Sequence, residues 1–229
     1  MKKSVLAFVL VPFLLAGCKS TAPERAEEAV ASLEQLIQDL KDMNQKIDAV
    51  SKSLSTLISG KGADLKPPFD AFVEASEALD EQAEVVVAHT DDLRTNTQAY
   101  LDGWQKQMAE VKNPEIKAKA AERRKKASET FEEMRKELSS MRKHYETFDS
   151  DLHDIRTALG NELSADGLEA LTPLIKKTGT QQAALVKKDV DHIRSVLDKI
   201  ADTFDHKRSA PEPKPEGAAD ESQEPAKSE

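Results

Sequence analysis

The sequence predicts an all-α protein, an elongated antiparallel bundle of about four long helices with coiled-coil-like heptad packing. Three observations lead to this fold class. The 229-residue chain has only 8 glycines, 4% aromatic residues and 33% charged residues, a composition typical of long helices. Apolar residues recur in alternating steps of three and four through four long segments. Breaks that contain proline or glycine separate those segments.

The chain opens with a segment of the signal-peptide type. Two lysines precede a short apolar run that cannot span a membrane as a stable helix. Small residues then lead into Cys18, the only cysteine, and this junction resembles a bacterial lipobox. We therefore predict that residues 1–17 are a lipoprotein signal peptide and that the nucleophilic thiol of Cys18 takes acyl groups. The alternative is an ordinary signal peptide followed by a chance cysteine. The lipobox residues are Leu15, Ala16 and Gly17.

Cleavage before Cys18 would leave an acidic chain. It would remove two lysines and change the formal charge from −9 to −11, which argues against nucleic acid as a partner of the whole chain. An acylated Cys18 would leave no thiol for a disulfide, a zinc–thiolate site or redox chemistry. No later apolar run approaches the length of a membrane span. We expect the protein to be attached to the membrane only through the acyl chains on Cys18.

The elements follow in order after an acylated tether at residues 18–23. The helical bundle is predicted over residues 24–208, with a first helix at about 24–58. Its heptad seam is accompanied by a second apolar column, and a face this wide indicates more than one neighbouring helix. The seam comprises Val30, Leu33, Ile37, Leu40, Ile47, Leu54 and Ile58, and the second column comprises Leu36, Met43, Val50 and Leu57.

Three further helices are predicted at about 69–112, 115–159 and 164–206, followed by a disordered Pro/Glu-rich tail at 209–229. Short connections make sequential helices antiparallel. The predicted core of the second helix is Phe72, Leu79, Ala83, Val86, Leu93, Tyr100, Trp104 and Val111. That of the third is Phe131, Met134, Leu138, Met141, Tyr145, Phe148, Leu152, Ile155 and Leu159. That of the fourth is Leu168, Leu171, Ile175, Leu185, Val186, Val190, Ile193, Leu197, Ile200 and Phe204.

Polar residues interrupt the seams of the first two helices. They either control helix register and ease close approach, or they mark a polar cavity or a site of conformational change. The residues are Asn44, Ser51, Ser76, Thr90 and Thr97.

A helical bundle can house a carboxylate-bridged metal pair, so this chemistry is the first to consider. Such sites need a Glu-x-x-His motif on each of two helices, and the single near match is Asp189-Val190-Asp191-His192. Asp149 and His153 lie one turn apart, but the segment Asp149–Asp154 is typical of a solvated charged face. Phosphate-loop, haem and nucleophile-elbow motifs do not occur. We expect no enzyme, no cofactor and no small-molecule substrate, with a metal-binding bundle enzyme as the remote alternative.

Charge is distributed unevenly along the second and third helices. Residues 69–102 contain nine acidic residues and one basic residue, whereas residues 105–143 contain twelve basic and seven acidic residues. A basic run on a helix either is a solvated face that pairs with a neighbouring acidic helix or binds an anionic partner. Phospholipid headgroups, an acidic protein surface and an anionic cell-wall polymer are the candidate partners. The candidate binding residues are Lys117, Lys119, Arg123, Arg124, Lys125 and Lys126.

Trp104, the only tryptophan, lies in this basic end beside Gly103. A glycine in a helix interior costs about 1 kcal/mol relative to alanine, so Gly103 indicates a tight packing contact or a binding groove. Core packing is the simpler interpretation of Trp104, because it falls on the seam.

The lipobox, the Trp104 helix end, the break at residues 113–116 and the Arg123-Arg124 pair resemble an uncharacterised family of Gram-negative helical proteins, catalogued only as a domain of unknown function. The resemblance covers roughly Ala26 to Phe204 and implies a coiled-coil lipoprotein, with no activity or site residue to carry over. In Gram-negative lipoproteins the residue after the acylated cysteine helps to sort the protein, and Lys19 favours the outer membrane, facing the periplasm.

From these residues we expect a non-enzymatic scaffold or interaction module of the cell envelope, whose partner is an envelope protein or another copy of the chain. The alternative is a binding module whose basic helix end, residues 117–126, captures an anionic cell-wall polymer or lipid.

Overall fold

The computed structural model describes residues 21–60 and 64–208, which are helical throughout except at short connections. Helix α1 spans Ala22–Ser59, α2 spans Lys66–Glu110, α3 spans Pro114–Asn161, α4 spans Ala165–Lys176 and α5 spans Ala183–Arg208. A π-helical segment, Lys177–Gln182, connects α4 directly to α5, so the two form the fourth rod of the bundle. The all-α prediction is confirmed. The predicted signal peptide, Cys18 and the tail at 209–229 lie outside the described residues.

Local sequence signals explain where the helices begin. The backbone N–H of Glu24 donates to the Thr21 hydroxyl at 3.4 Å, and the Glu24 carboxylate accepts from the backbone N–H of Thr21, which is a capping box. The Asn113 side chain accepts from the backbone of α3, whose first residue is a proline. The Ser164 hydroxyl accepts from the backbone N–H of Gly167 at 3.0 Å. These caps place the connections between helices close to the predicted breaks.

The four rods pack antiparallel in a ring around one core. α1 contacts α2 on one side and the α4–α5 rod on the other, while α3 contacts that rod and α2. Both apolar columns of α1 are buried apart from the partly exposed Ile37 and Ile58, so the predicted wide face is confirmed. The predicted core of α3 is also buried, with Tyr145 half-buried. No helix in the described ranges is both long enough and apolar enough to cross a bilayer.

The π-helical segment changes which residues of the fourth rod face the core. Thr178 and Ala183 are both buried, five residues apart, and the backbone N–H of Ala183 donates to the Thr178 carbonyl oxygen, as π-helical geometry requires. A regular α-helical step had placed Leu185 in the core, and this prediction is wrong: its relative exposure is 42%. Gly179 belongs to the same segment, where an added Cβ would lie 3.2 Å from the Leu54 side chain.

Candidate functional site

A long groove lies between α2 and α3. We call it the α2–α3 groove. Its volume is about 770 Å³, and it extends from Asp80 to Leu101 on α2 and from Ser128 to Asp149 on α3, with Met43 of α1 as part of its lining. At 1.5 Å per residue the groove is about 30 Å long.

Side-chain size explains why the α2–α3 groove stays open. The α2 wall presents small or polar residues, among them Ala83, Thr90 and Thr97. The Thr90 hydroxyl donates to the Val86 carbonyl oxygen at 2.7 Å. Thr97 is 5% exposed, and its hydroxyl oxygen has no hydrogen-bond partner among the described residues. The α3 wall is apolar and larger: Phe131, Met134, Leu138 and Met141.

The polar seam residues therefore fall into two groups, those that line the groove and those that make packing contacts. Thr90 and Thr97 line the groove, as the polar-cavity interpretation expected. Asn44 donates to Asp191 on α5 at 2.7 Å, and the Ser76 hydroxyl donates to the carbonyl oxygen of Phe72 in its own helix. The Asn44 contact joins two helices and fits register control, whereas the buried Ser76, whose hydroxyl is satisfied within α2, fits a small residue that eases close approach.

The rims of the α2–α3 groove are charged. Six acidic and three basic side chains line it, so its net charge is negative when all are ionised. Val87, also in the lining, is 48% exposed. The acidic residues are Asp80, Glu84, Asp91, Glu132, Glu146 and Asp149, and the basic residues are Arg94, Arg135 and Arg142.

Two carboxyl groups face each other at one end of the groove, Asp80 of α2 and Asp149 of α3. Partial burial and the hydrogen bond and negative charge of Asp149 raise the pKa of Asp80 to about 6, although Arg156 lies 3.9 Å away. Burial and the same two carboxylates also raise the pKa of the Tyr145 phenol. The pair can therefore hold one proton near pH 6. The predicted solvated face holds for His153 and Asp154, which are exposed, but not for Asp149 or for Asp151, which is partly buried and accepts from the Gln182 side chain at 2.8 Å.

The near match to a metal motif is divided among separate contacts. Asp189 contacts His144 of α3, Asp191 accepts from Asn44 of α1, and His192 lies 3.9 Å from Glu137. Within residues 21–60 and 64–208, no three histidine, cysteine or acidic side chains come together in a way that could hold a metal.

A buried carboxylate between α1 and α2 was not identified from the sequence. Asp39 is 4% exposed, accepts a hydrogen bond from Gln35 at 3.1 Å and contacts the ring of His89 on α2. The Gln82 side chain also donates to the Asp39 backbone carbonyl. A charged residue beside the apolar seam gives little sequence signal, since only the position of His89 on the facing helix identifies the pair.

The predicted basic residues lie where α2 turns into α3. We call residues 104–126 the basic hairpin tip; they include eight basic and three acidic residues. Lys117, Lys126 and Arg123 are exposed, whereas Lys119 and Lys125 pair with Glu115 and Glu129 at 2.9 and 3.8 Å. Arg124 is partly buried, and its Nε donates to the Leu101 carbonyl oxygen at 3.1 Å.

Aromatic and apolar groups accompany these charges. The Arg123 guanidinium lies 5.9 Å from the centre of the Trp104 ring, which packs against Tyr100. Gly103 accommodates the Arg25 side chain of α1, because an added Cβ would lie 2.3 Å from Arg25 Nε. This contact confirms the tight-packing interpretation of Gly103. Ile116, near the start of α3, is 51% exposed.

The predicted lipobox residues Leu15, Ala16 and Gly17 and the predicted lipid-attachment residue Cys18 precede the described part of the chain. The chain has no significant match among curated proteins or among solved structures. A family model described as "Protein of unknown function (DUF2959)" matches residues 19–203. The chain therefore belongs to this family of unknown function.

Proposed function

We propose that the protein is a non-enzymatic, lipid-anchored interaction module of the cell envelope that holds a helix of a partner protein in the α2–α3 groove. The observation that carries this proposal is the groove itself, a cavity of about 770 Å³ between α2 and α3 whose lining includes an apolar row of α3, with each residue of that row 3–7% exposed. A closely packed bundle leaves no space of this size between neighbouring helices.

Length and pattern favour a helix as the occupant. A groove of about 30 Å matches a helix of roughly twenty residues. Phe131, Met134, Leu138 and Met141 follow the spacing that receives side chains of a neighbouring helix in knobs-into-holes packing. The acidic excess on the rims favours a partner helix whose apolar stripe is flanked by lysine or arginine.

A second copy of the chain fits less well than a different protein. The large exposed hydrophobic residues in the described ranges are Val85, Val87, Ile116 and Leu185. They do not form a continuous stripe along one helix, so the described helices of another copy offer no apolar face that would fill the groove.

The lipobox-like junction at Cys18 supports the placement in this proposal. We propose cleavage after Gly17, diacylglyceryl transfer to the Cys18 sulfur and acylation of the new amine, with palmitate as a typical chain. Lys19 favours the outer membrane, and the bundle would face the periplasm. Metabolic labelling with a radioactive fatty acid should mark the native chain and not the Cys18→Ser variant. Equal labelling of both chains would overturn the anchor.

Site-specific photocrosslinking in cells tests the groove. A benzoylphenylalanine in place of Val87 should capture one partner, and the crosslinked peptide should be an amphipathic helix with basic flanks. The matched position is Leu185, also exposed (42% against 48%) but outside the groove lining, which should not capture that partner. Equal capture at both positions, or capture of a second copy from Val87, would contradict the proposal.

Two tryptophan substitutions sharpen the same experiment. Ser139 and Ser140 are both exposed, but only Ser139 lines the groove. Ser139→Trp should cover the groove and abolish the Val87 crosslink, while Ser140→Trp should leave it intact. A crosslink that survives Ser139→Trp would place the partner elsewhere.

A further inference from the structure

We infer that the basic hairpin tip is a second membrane contact, which docks on the anionic phospholipid headgroups of the membrane that holds the anchor. This inference rests on the proposed acylation of Cys18, and it adds a site and a ligand chemistry to that proposal. It is carried by the position of the tip, by its charge and by its exposed apolar group.

The basic hairpin tip lies at the end of the bundle where α1 begins. The Arg25–Gly103 contact sets the first turn of α1 level with residue 103 of α2. From that level α2 continues for seven residues to Glu110, about 10 Å, whereas α1 extends only one turn in the same direction, to Ala22. The tip therefore projects beyond the end of the bundle at which α1 begins.

The proposed anchor leaves from the same end. Three peptide steps separate Thr21 from Cys18, and a fully extended chain covers at most about 11 Å over that distance. The proposed anchor is therefore attached within about 11 Å of Thr21, which is at the end of the bundle from which the tip projects. Because the headgroup layer of each leaflet is roughly 5–8 Å thick, acyl chains in the bilayer would hold the tip at the level of the headgroups.

The charge of the tip suits an anionic surface. It carries eight basic and three acidic residues, and basic segments next to a membrane are attracted to anionic lipids. Glu24, Glu27 and Glu28 of α1 are at the same end and offset part of this charge. They lie on the first two turns of α1, whereas Lys112 and Lys117 flank the turn that projects farthest.

Apolar groups complete the surface. Ile116 is 51% exposed beside these lysines, where it can enter the headgroup region together with the hydrocarbon stems of the lysines. Trp104 is half-buried in the same tip, and tryptophan is a residue favoured at membrane interfaces. An acidic protein surface would match the charge, but it would not explain why the charge stands at the anchor end.

Trp104 supplies the readout, since it is the only tryptophan in the chain. The purified, acylated full chain is reconstituted in vesicles that carry a headgroup spin label, made either of phosphatidylcholine alone or with about 30% phosphatidylglycerol. We expect Trp104 quenching to be at least about twofold stronger in the anionic vesicles and to fall toward the neutral value in 0.5 M salt. Equal quenching in both vesicles at low salt would overturn the inference.

Matched lysine variants locate the contact. Lys117→Gln/Lys119→Gln should weaken the docked state by about fivefold per lysine and lose most of the extra quenching. The control variant Lys52→Gln/Lys176→Gln removes two exposed lysines at the opposite end of the bundle. It should keep the extra Trp104 quenching in anionic vesicles. Extra quenching that survives the tip variant, or that both variants lose equally, would exclude the tip as the contact.

The intact mass of the purified chain distinguishes a failure of the proposed anchor from a failure of the proposed tip contact. An unacylated mass would refute the anchor and, with it, the premise of the inference. A fully acylated chain whose Trp104 does not respond to anionic lipid would refute the tip contact alone and leave the anchor standing.

Discussion

α2 packs against α1 on one side and α3 on the other, and the two interfaces differ although both join antiparallel helices through short connections. Towards α1, large apolar side chains meet, and Leu33, Leu40, Leu79 and Leu93 are fully buried. Towards α3, the small or polar wall of α2 leaves the groove open. Heptad spacing therefore decides which face turns inward, whereas the size of the facing side chains decides whether two helices close.

The two interfaces also differ in how their carboxylates are paired. Asp39 at the α1–α2 interface is paired with His89 and Gln35, while Asp80 at the α2–α3 interface faces another carboxylate, Asp149. One interface satisfies its buried charge and the other sets two like charges against each other. The open interface is thus the weaker of the two.

The largest expected effect is the loss of unfolding free energy when one leucine at each interface is replaced by alanine. Leu40→Ala should cost about 3–5 kcal/mol of unfolding free energy, because Leu40 is fully buried and its removal leaves a closed cavity. Leu138→Ala should cost about 2–3 kcal/mol, the low end for a buried leucine, since Leu138 is 7% exposed and borders the groove, so that its removal leaves less of a closed cavity. Urea unfolding of both variants checks the prediction, and equal losses would mean that the groove is packed as tightly as the core.

Removal of the paired carboxylate comes next. Asp39→Ala should cost about 1–3 kcal/mol, because it leaves the partly buried donors of His89 and Gln35 without their acceptor. Asp42→Ala is the matched control: Asp42 accepts from Gln38 with the same four-residue spacing, but at an exposed position, so its loss should cost less than about 0.5 kcal/mol. Similar thermal shifts for the two variants would contradict a stabilising role for the buried pair.

The sequence predicts the helices well because their apolar rows and caps are local signals. It places both columns of α1 and the row from Phe131 to Leu159 correctly. The sequence-based prediction fails at Leu185, because the extra residue of the π-helical segment rotates the helix that follows and no local sequence pattern indicates such a segment. The polar seam residues allowed a cavity only as one of two interpretations, and the Asp80–Asp149 pair was missed, since each depends on which α2 side chain faces which α3 side chain.

The same dependence leaves the basic hairpin tip only partly predictable. Its charge is visible in the sequence, but the use of Arg124 to bond the Leu101 carbonyl oxygen is a contact between two helices. The place of the tip at the end where α1 begins likewise requires the Arg25–Gly103 contact. Spacing along one helix cannot give either feature.

The smallest expected effect tests the carboxyl pair. The folded-state pKa of Asp80 is raised from 3.8 to about 6, so its contribution to stability is fully present below about pH 4 and is lost as pH rises through 6. Asp80→Asn, which cannot ionise, should therefore raise the melting temperature at pH 7.5 by about 2–4 °C, corresponding to roughly 1 kcal/mol after solvent screening. This advantage over the native chain should shrink as the pH falls to 5.

The control for that experiment is Glu81→Gln, which neutralises an exposed neighbour of Asp80 and should change the melting temperature little at either pH. Arg156 and Glu77 also act on Asp80, and they are unchanged in both variants, so the pH dependence isolates the Asp80–Asp149 proton. An advantage of Asp80→Asn that stays constant from pH 7.5 to 5 would mean that the two carboxyls share no proton. The open interface would then owe its weakness to side-chain size alone.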